Sequence, residues 1–392
     1  MSEYQYYEFQ AVDRRLSAQE MAELRALSSR AQITPTSFVN VYNWGDFRAD
    51  PKALMERYFD AFLYLANWGT RRLMLRLPSR LLDLETARRY CPGPVASAWT
   101  SGEHVIVEFT TDREVARASG REWEPDEEET GEGWLADILP VRAELARGDY
   151  RALYLGWLLC AMTGELGDDV VEPPVPAGVG HLSAALAEMA RFLHIDPDLI
   201  AVAAERSPNP GPVALDEREL AAWVARLPEQ EKDRLLVRLV RGDPHLGDEL
   251  WLRALRELAP AGGPPAGGGD ERPRTASELL ALAEVRRAAR LREQAERERR
   301  EREQRSRAEA ARRARYLKKL ASREDEVWRQ VEQLIATRRP DLYDQAVELI
   351  KDLRDAAVKT GREEAFRTRL ASLRLQHAKK GTLLGRLIRA GL

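Results

Sequence analysis

Cysteine is scarce in this chain: Cys91 and Cys160 are the only two in 392 residues. They stand far apart in turn-like or apolar surroundings, so neither a disulfide framework nor a Cys-x-x-Cys pair can be written. Buried, inert thiols in a reducing compartment are expected. Histidine is nearly as sparse. His104, His181, His194, His245 and His377 are scattered, with no pair four apart and no cysteine nearby, so the spacing predicts no metal site and no cofactor. Long hydrophobic runs are missing as well. The most apolar stretch, Tyr154 to Met162, covers nine residues where a spanning helix needs about twenty, which predicts a core helix and no membrane. The opening Met1 to Glu8 has no basic segment leading into an apolar one, which predicts a cytoplasmic protein. Nor does one sign of charge dominate: 61 Lys and Arg against 64 Asp and Glu leave a net charge of −3, which names no partner.

Signatures of chemistry are absent too. No Gly-x-Ser-x-Gly elbow occurs, and the glycine run at 261–269 lacks the Gly-Lys-Ser/Thr ending of a phosphate cradle, so no catalytic residue is assigned. The turn Gly164-Glu165-Leu166-Gly167-Asp168-Asp169 reads as solvated turn formers rather than an ion site.

What is present is ample core material and dense mixed charge, 44% apolar and 32% charged residues, enough for two or three domains. Residues 1–120 predict an α+β domain. Strands are expected at 3–11, 36–42, 71–77, 94–99 and 104–110. Helices are expected from a capping box at Ser17 and Glu20, over 52–66 behind Asp50 and Pro51, and over 83–90. Leu73, Leu75 and Leu77 alternate with Arg72, Met74 and Arg76, the pattern of a strand with one buried face. Seven acids in the eleven positions 122–132 predict an exposed acidic loop over 121–132. Residues 133–258 predict a helical region, and Ala/Gly/Pro-rich 259–277 a linker.

Residues 278–322 predict one long charged helix. Fifteen Lys or Arg and eight Glu lie between Ala276 and Ser322, with no apolar seam over the charged middle, so the helix is not expected to dimerise as a coiled coil. Six Glu-to-Arg pairs four apart support it instead: Glu293/Arg297, Glu296/Arg300, Glu298/Arg302, Glu301/Arg305, Glu303/Arg307 and Glu309/Arg313. Residues 323–392 then predict a small helical module, with Pro340 at a first turn and Gly361 at a helix end.

Within that module, Arg339-Pro340-Asp341-Leu342-Tyr343-Asp344-Gln345-Ala346-Val347-Glu348-Leu349-Ile350, Leu373 to Lys380 and Leu387 to Leu392 resemble the C-terminal helical tail of bacterial SWIM-type zinc-finger proteins. The resemblance covers about 70 residues and does not include that family's Cys-x-Cys and Cys-x-His ligands. The first 260 residues, through Thr34 to Asn40 and Tyr42-Asn43-Trp44-Gly45-Asp46-Phe47, resemble a widespread bacterial family to which no activity is attached.

Two functional expectations follow. The first is a non-enzymatic adaptor whose C-terminal module docks an unidentified protein partner through Leu383, Leu384, Leu387 and Ile388. The second is a single-stranded nucleic-acid binder. There Tyr4, Tyr6, Phe38, Tyr42 and Trp44 stack bases on an open sheet face while Arg72, Arg76 and the Arg-rich helix meet phosphate.

Overall fold

In a computed structural model of the full chain, the structure describes residues 3–112, 130–209, 215–258, 272–337 and 339–392. The chain divides into two compact units, Met1–Ala289 and Arg290–Leu392.

The first unit is built on a seven-stranded, wholly antiparallel sheet in the order β2-β3-β1-β4-β5-β7-β6. Its elements run β1 (Gln5–Gln10), α1 (Ala18–Leu27), β2 (Gln32–Thr34), β3 (Ser37–Tyr42), α2 (Pro51–Arg57), β4 (Ala61–Ala66), β5 (Arg71–Pro78), α3 (Leu84–Tyr90), β6 (Ala96–Ser101) and β7 (His104–Thr111). The α+β character and the capping signals agree with the sequence. The Ser17 hydroxyl accepts the Glu20 amide while the Glu20 carboxylate accepts the Ser17 amide, and Asp50 caps α2 ahead of Pro51.

Two expectations are corrected. The helix predicted over 52–66 stops at Arg57, and Ala61–Ala66 is instead a strand between β1 and β5 with all six residues buried. The single buried face expected of β5 is likewise two buried faces: Leu73, Leu75 and Leu77 point into one core, while Met74 points into the other and is equally inaccessible. A strand covered on both sides has no polar alternation to show.

One face of the sheet is covered by α1 and α2 over a core rich in aromatics, including Tyr7, Phe9, Phe38, Phe47, Phe59 and Phe62. The other face is covered by the helical region: α4 (Trp134–Ile138), α5 (Pro140–Ala146), α6 (Arg151–Met162), α7 (Ala184–Phe192) and α8 (Pro197–Ala204). The apolar run at 154–162 falls in α6, which is buried along nearly its whole length. Three further helices, α9 (Glu217–Arg226), α10 (Glu229–Val240) and α11 (Leu246–Leu258), share a small core of Trp223, Leu227 and Ala254. No helix among the described residues is long and apolar enough to cross a membrane.

The long helix α12 runs Ala276–Ala321 without a break, two residues ahead of its expected start. Residues 121–129 of the predicted acidic loop and 259–271 of the predicted linker lie outside the described residues. The remainder of that linker is tied down, which corrects its boundary. Arg274 is buried, Val171 and Thr275 form a β-bridge, and the Ala276 amide donates to Val170 O at 2.9 Å. Ala276, Leu279 and Ala283 then enter the core of the first unit.

In the second unit, the last turns of α12 join α13 (Glu324–Ala336), α14 (Pro340–Thr360), α15 (Glu363–Gln376) and α16 (Gly381–Arg389). Leu317 and Leu320 belong to the same core as Trp328, Ile335, Ile350, Phe366, Leu383 and Leu387. Pro340 opens α14, and Gly361 closes it in the left-handed conformation at φ 67°, which glycine adopts without strain. Three of the six expected Glu-to-Arg pairs come within 4 Å, at 3.9, 3.3 and 3.9 Å for Glu293/Arg297, Glu296/Arg300 and Glu301/Arg305. Arg313 turns instead to Asp352 and Asp355 of α14, at 2.5 and 3.0 Å.

Candidate interaction surfaces

The residues expected to form a stacking platform do not share a face. Tyr42 pairs with Gln5 across β3 and β1, and Phe38 pairs with Phe9, so these two stand on the side of the odd-numbered β1 residues. Tyr6 stands on the opposite side, in the core under the helical region, with Tyr4 packed at its edge. Neither side is open. Tyr6 and Phe38 are buried; the Tyr4 hydroxyl accepts the Gly131 amide at 3.3 Å; and Gly131 lies so close to the Tyr6 ring that a Cβ there would sit 2.1 Å from Cδ1. Tyr42 donates no platform either: it is half-buried and packs edge-on against Tyr7 with ring centroids 5.9 Å apart.

The two arginines are also committed. Arg72 Nη2 lies 2.5 Å from Glu108 Oε1, and the other Glu108 oxygen takes Lys52 at 2.7 Å. Arg76 is buried: its Nε and Nη2 donate to Asp60 Oδ1 at 3.2 and 2.9 Å, and its Nη1 donates to the carbonyls of Met55 and Glu56. Trp44 alone of the seven stands free, 74% exposed at a turn, while its neighbour Phe47 is core. The single-strand reading through the sheet is thereby corrected: period-two geometry splits the aromatics between two faces, and both faces are covered over β1, β4 and β5.

The buried charges form a structural network instead. Asp60 Oδ2 accepts the amides of Val12 and Asp13 at 2.7 and 2.9 Å. Arg142 of α5 donates to Arg76 O at 2.8 Å and to Asp13 Oδ2 at 2.6 Å, and His245 Nε2 lies 2.8 Å from the same oxygen. Burial alone would raise the Asp13 pKa, but His245 and Arg142 outweigh it and hold the carboxyl at about 2. This carboxylate joins β1, α5 and the approach to α11.

The thiols suit a structural role. Burial pushes the Cys91 thiol well up, and burial with the nearby Glu165 carboxylate pushes Cys160 up to about 12, so neither supplies a thiolate at neutral pH. Glu165 itself accepts the Val95 amide at 3.2 Å, and the Asp168 carbonyl accepts the Ser277 hydroxyl at 2.9 Å, so the acidic turn fastens chain segments together. Among the described residues, no group of three or more His, Cys, Asp or Glu is placed to share a metal ion. A depression of about 410 Å³ on the second unit, bordered by Leu334, Leu349, Asp344 and Asp352, opens broadly to solvent. Its carboxylates are already taken, Asp344 by Arg386 at 2.6 Å and Asp352 by Arg313.

The C-terminal docking face also changes. Leu383 and Leu387 have no accessible surface and belong to the core of the second unit; Leu384 is packed against that core; only Ile388 points outward. The four share a helix, α16, but the face they form is used internally.

An apolar surface without a cover lies elsewhere. No residue of α10 is buried, although the helix ends in Leu235-Leu236-Val237-Arg238-Leu239-Val240. Leu236, Val237, Leu239 and Val240 are 59, 50, 61 and 87% exposed, and Val224 of α9 is exposed as well. Sequence reading passed over this segment because a helical period predicts an apolar stripe without saying whether anything covers it. Comparison of the chain with protein-family models, with curated proteins and with solved structures finds no match in any of the three.

Proposed function

We propose that the protein is a non-enzymatic interaction adaptor whose protein-docking face is the outer side of α10 rather than α16. The observation that carries this reading is a three-turn helix with no buried residue and four large aliphatic side chains turned to solvent. Soluble surfaces carry single exposed aliphatics commonly, but a contiguous group of them marks a contact site. Leu236, Leu239 and Val240 are spaced i, i+3, i+4, the period at which a second helix meets a helix surface, so the occupant is an amphipathic helix of a partner protein. Cytoplasmic residence belongs to the same reading, supported by two free and buried thiols. The long helix is read as monomeric, because Leu282, Val285 and Leu291 are exposed but do not continue into a heptad seam.

A photo-reactive phenylalanine analogue at Val240 of the full chain tests this in cells. The expected result is a crosslink to an apolar helical segment of one other protein, weakened more than tenfold by Leu236→Glu with Leu239→Glu. Both positions are exposed, so the double variant should keep the melting temperature of the parent. Crosslinking to a second copy of this chain, or only to background, would overturn the proposal.

A further inference from the structure

The near-zero net charge conceals a strong segregation. Residues 1–289 carry 33 Lys and Arg against 47 Asp and Glu, a net −14, whereas residues 290–392 carry 28 against 17, a net +11. The long helix is divided in the same way. Its stretch 290–304 is a balanced ladder of six Arg and five Glu. The next fifteen residues, 305–319, hold seven Lys or Arg and a single acid, Glu309.

Two of those seven cations are engaged: Arg305 by Glu301 at 3.9 Å, and Arg313 by Asp352 and Asp355. The other five, Arg307, Arg312, Arg315, Lys318 and Lys319, are exposed and have no side-chain hydrogen bond or ion pair among the described residues. At about 100° per residue they fall within an arc of roughly 140°, opposite the line of Leu317 and Leu320 that enters the core of the second unit. The small side chains of Ala308 and Ala311 lie in the same arc, so little bulk separates the cations from whatever they meet. The stripe is about 18 Å long.

We infer that this stripe binds the phosphate backbone of a nucleic-acid duplex without reading its sequence. Three features select that ligand. The cations are unpaired and close together, so neutralising several phosphates at once releases counterions without first breaking internal ion pairs. The stripe has no aromatic ring on which to stack single-stranded bases: Tyr316 lies outside the arc, and its hydroxyl donates to Asp352 at 2.7 Å. A membrane surface is also a poor fit, because a helix lying in a lipid interface must sink an apolar face beside its cations. Here the apolar face is consumed by the module's own core. This inference rests on the charge pattern of α12 and is independent of the role proposed for α10; together they describe a protein that carries a partner to a polyanion.

Fluorescence anisotropy with the full chain and a labelled 30-base-pair duplex of arbitrary sequence tests the inference. Binding is expected at 50 mM salt, with a slope of log K against log salt of about −4 to −5 for five phosphate contacts. The variant Arg312→Gln, Arg315→Gln, Lys318→Gln, Lys319→Gln removes four of them, so its slope should flatten to about −1 and its affinity at 50 mM salt should fall at least a hundredfold. Circular dichroism of the variant guards against misfolding, and Arg299→Gln with Arg300→Gln, in the balanced stretch, should leave the slope within one unit of the parent. Absence of duplex binding at 50 mM salt, an unchanged slope in the quadruple variant, or tighter binding to phosphatidylserine vesicles than to the duplex would each overturn it.

Discussion

Asp60→Ala should lower the melting temperature of the first unit by roughly 10 °C or more. Asp60 is fully buried, and four donors converge on it: Arg76 Nε and Nη2 on one oxygen, and the Val12 and Asp13 amides on the other. Removing the carboxylate leaves a buried guanidinium with no counter-charge and two backbone amides without acceptors. The loss of one partner of a buried ion pair costs about 3–5 kcal/mol. In a unit of this size each kcal/mol is worth about 2–4 °C. The remaining Arg76 bonds, to Met55 O and Glu56 O, satisfy hydrogens but not charge. Asp60→Leu combined with Arg76→Met, which removes both charges and keeps apolar bulk, should recover a large part of the loss. Calorimetry on the three proteins decides the matter. A shift below about 3 °C in Asp60→Ala would mean that water reaches the guanidinium and the network contributes little.

Glu172→Ala should detach the beginning of α12 from the first unit. Glu172 accepts Arg274 Nη2 and Nε on its two oxygens at 2.9 and 2.8 Å and also accepts the Tyr154 hydroxyl, while Arg274 Nη1 donates to Val202 O at 2.9 Å. Both charged side chains are nearly inaccessible. Burial and then the adjacent carboxylate push the Tyr154 hydroxyl well above the usual phenol range, so it stays a donor throughout the accessible pH range. Without Glu172, Arg274 is expelled to water, and the bridge between Val171 and Thr275 opens with it. The same 3–5 kcal/mol then appears as local opening. Hydrogen exchange of the amides of Glu172 and Ala276 should accelerate by about two to three orders of magnitude, while amides in the middle of β5 change less. Unchanged protection at Ala276 would show that the apolar contacts of Leu279 and Ala283 hold the helix start unaided.

What the sequence revealed, and what it hid, divides along physical lines. Helix starts were legible because a cap is a local event: Ser17 with Glu20 and Asp50 with Pro51 act within four residues of chain. The charged helix and the folded C-terminal module were legible from periodicity, down to Gly361 at a helix end. The strand β4 was hidden because burial on both sides removes the alternation that marks a strand, leaving Ala-Phe-Leu-Tyr-Leu-Ala to continue an apparent helix. The surfaces were hidden for a different reason. Whether Leu383 or Leu236 faces water depends on which other helices arrive, and Leu383 is covered by its own module while Leu236 is not. Likewise, the six ideal Glu-to-Arg spacings could not disclose that Arg313 prefers two aspartates of another helix. The five cations left over in residues 305–319 became visible only once the pairing partners of their neighbours were known.

The two-sided burial of the sheet has a consequence for how the chain is made. All seven strands are complete by Thr111, and α1 and α2 lie among them in sequence, so one face is covered as soon as the sheet forms. Apart from α3, whose Ala87 and Tyr90 join that core, the cover for the other face begins only at Trp134 and runs on to α8. During synthesis, Leu63, Leu65, Leu75, Val107 and Phe109 therefore stand largely bare for the time needed to add roughly ninety residues, about 5–20 s at ribosomal speed. A chain truncated after Asp112 should collect in the insoluble fraction, and one ending at Asn209 should be recovered soluble.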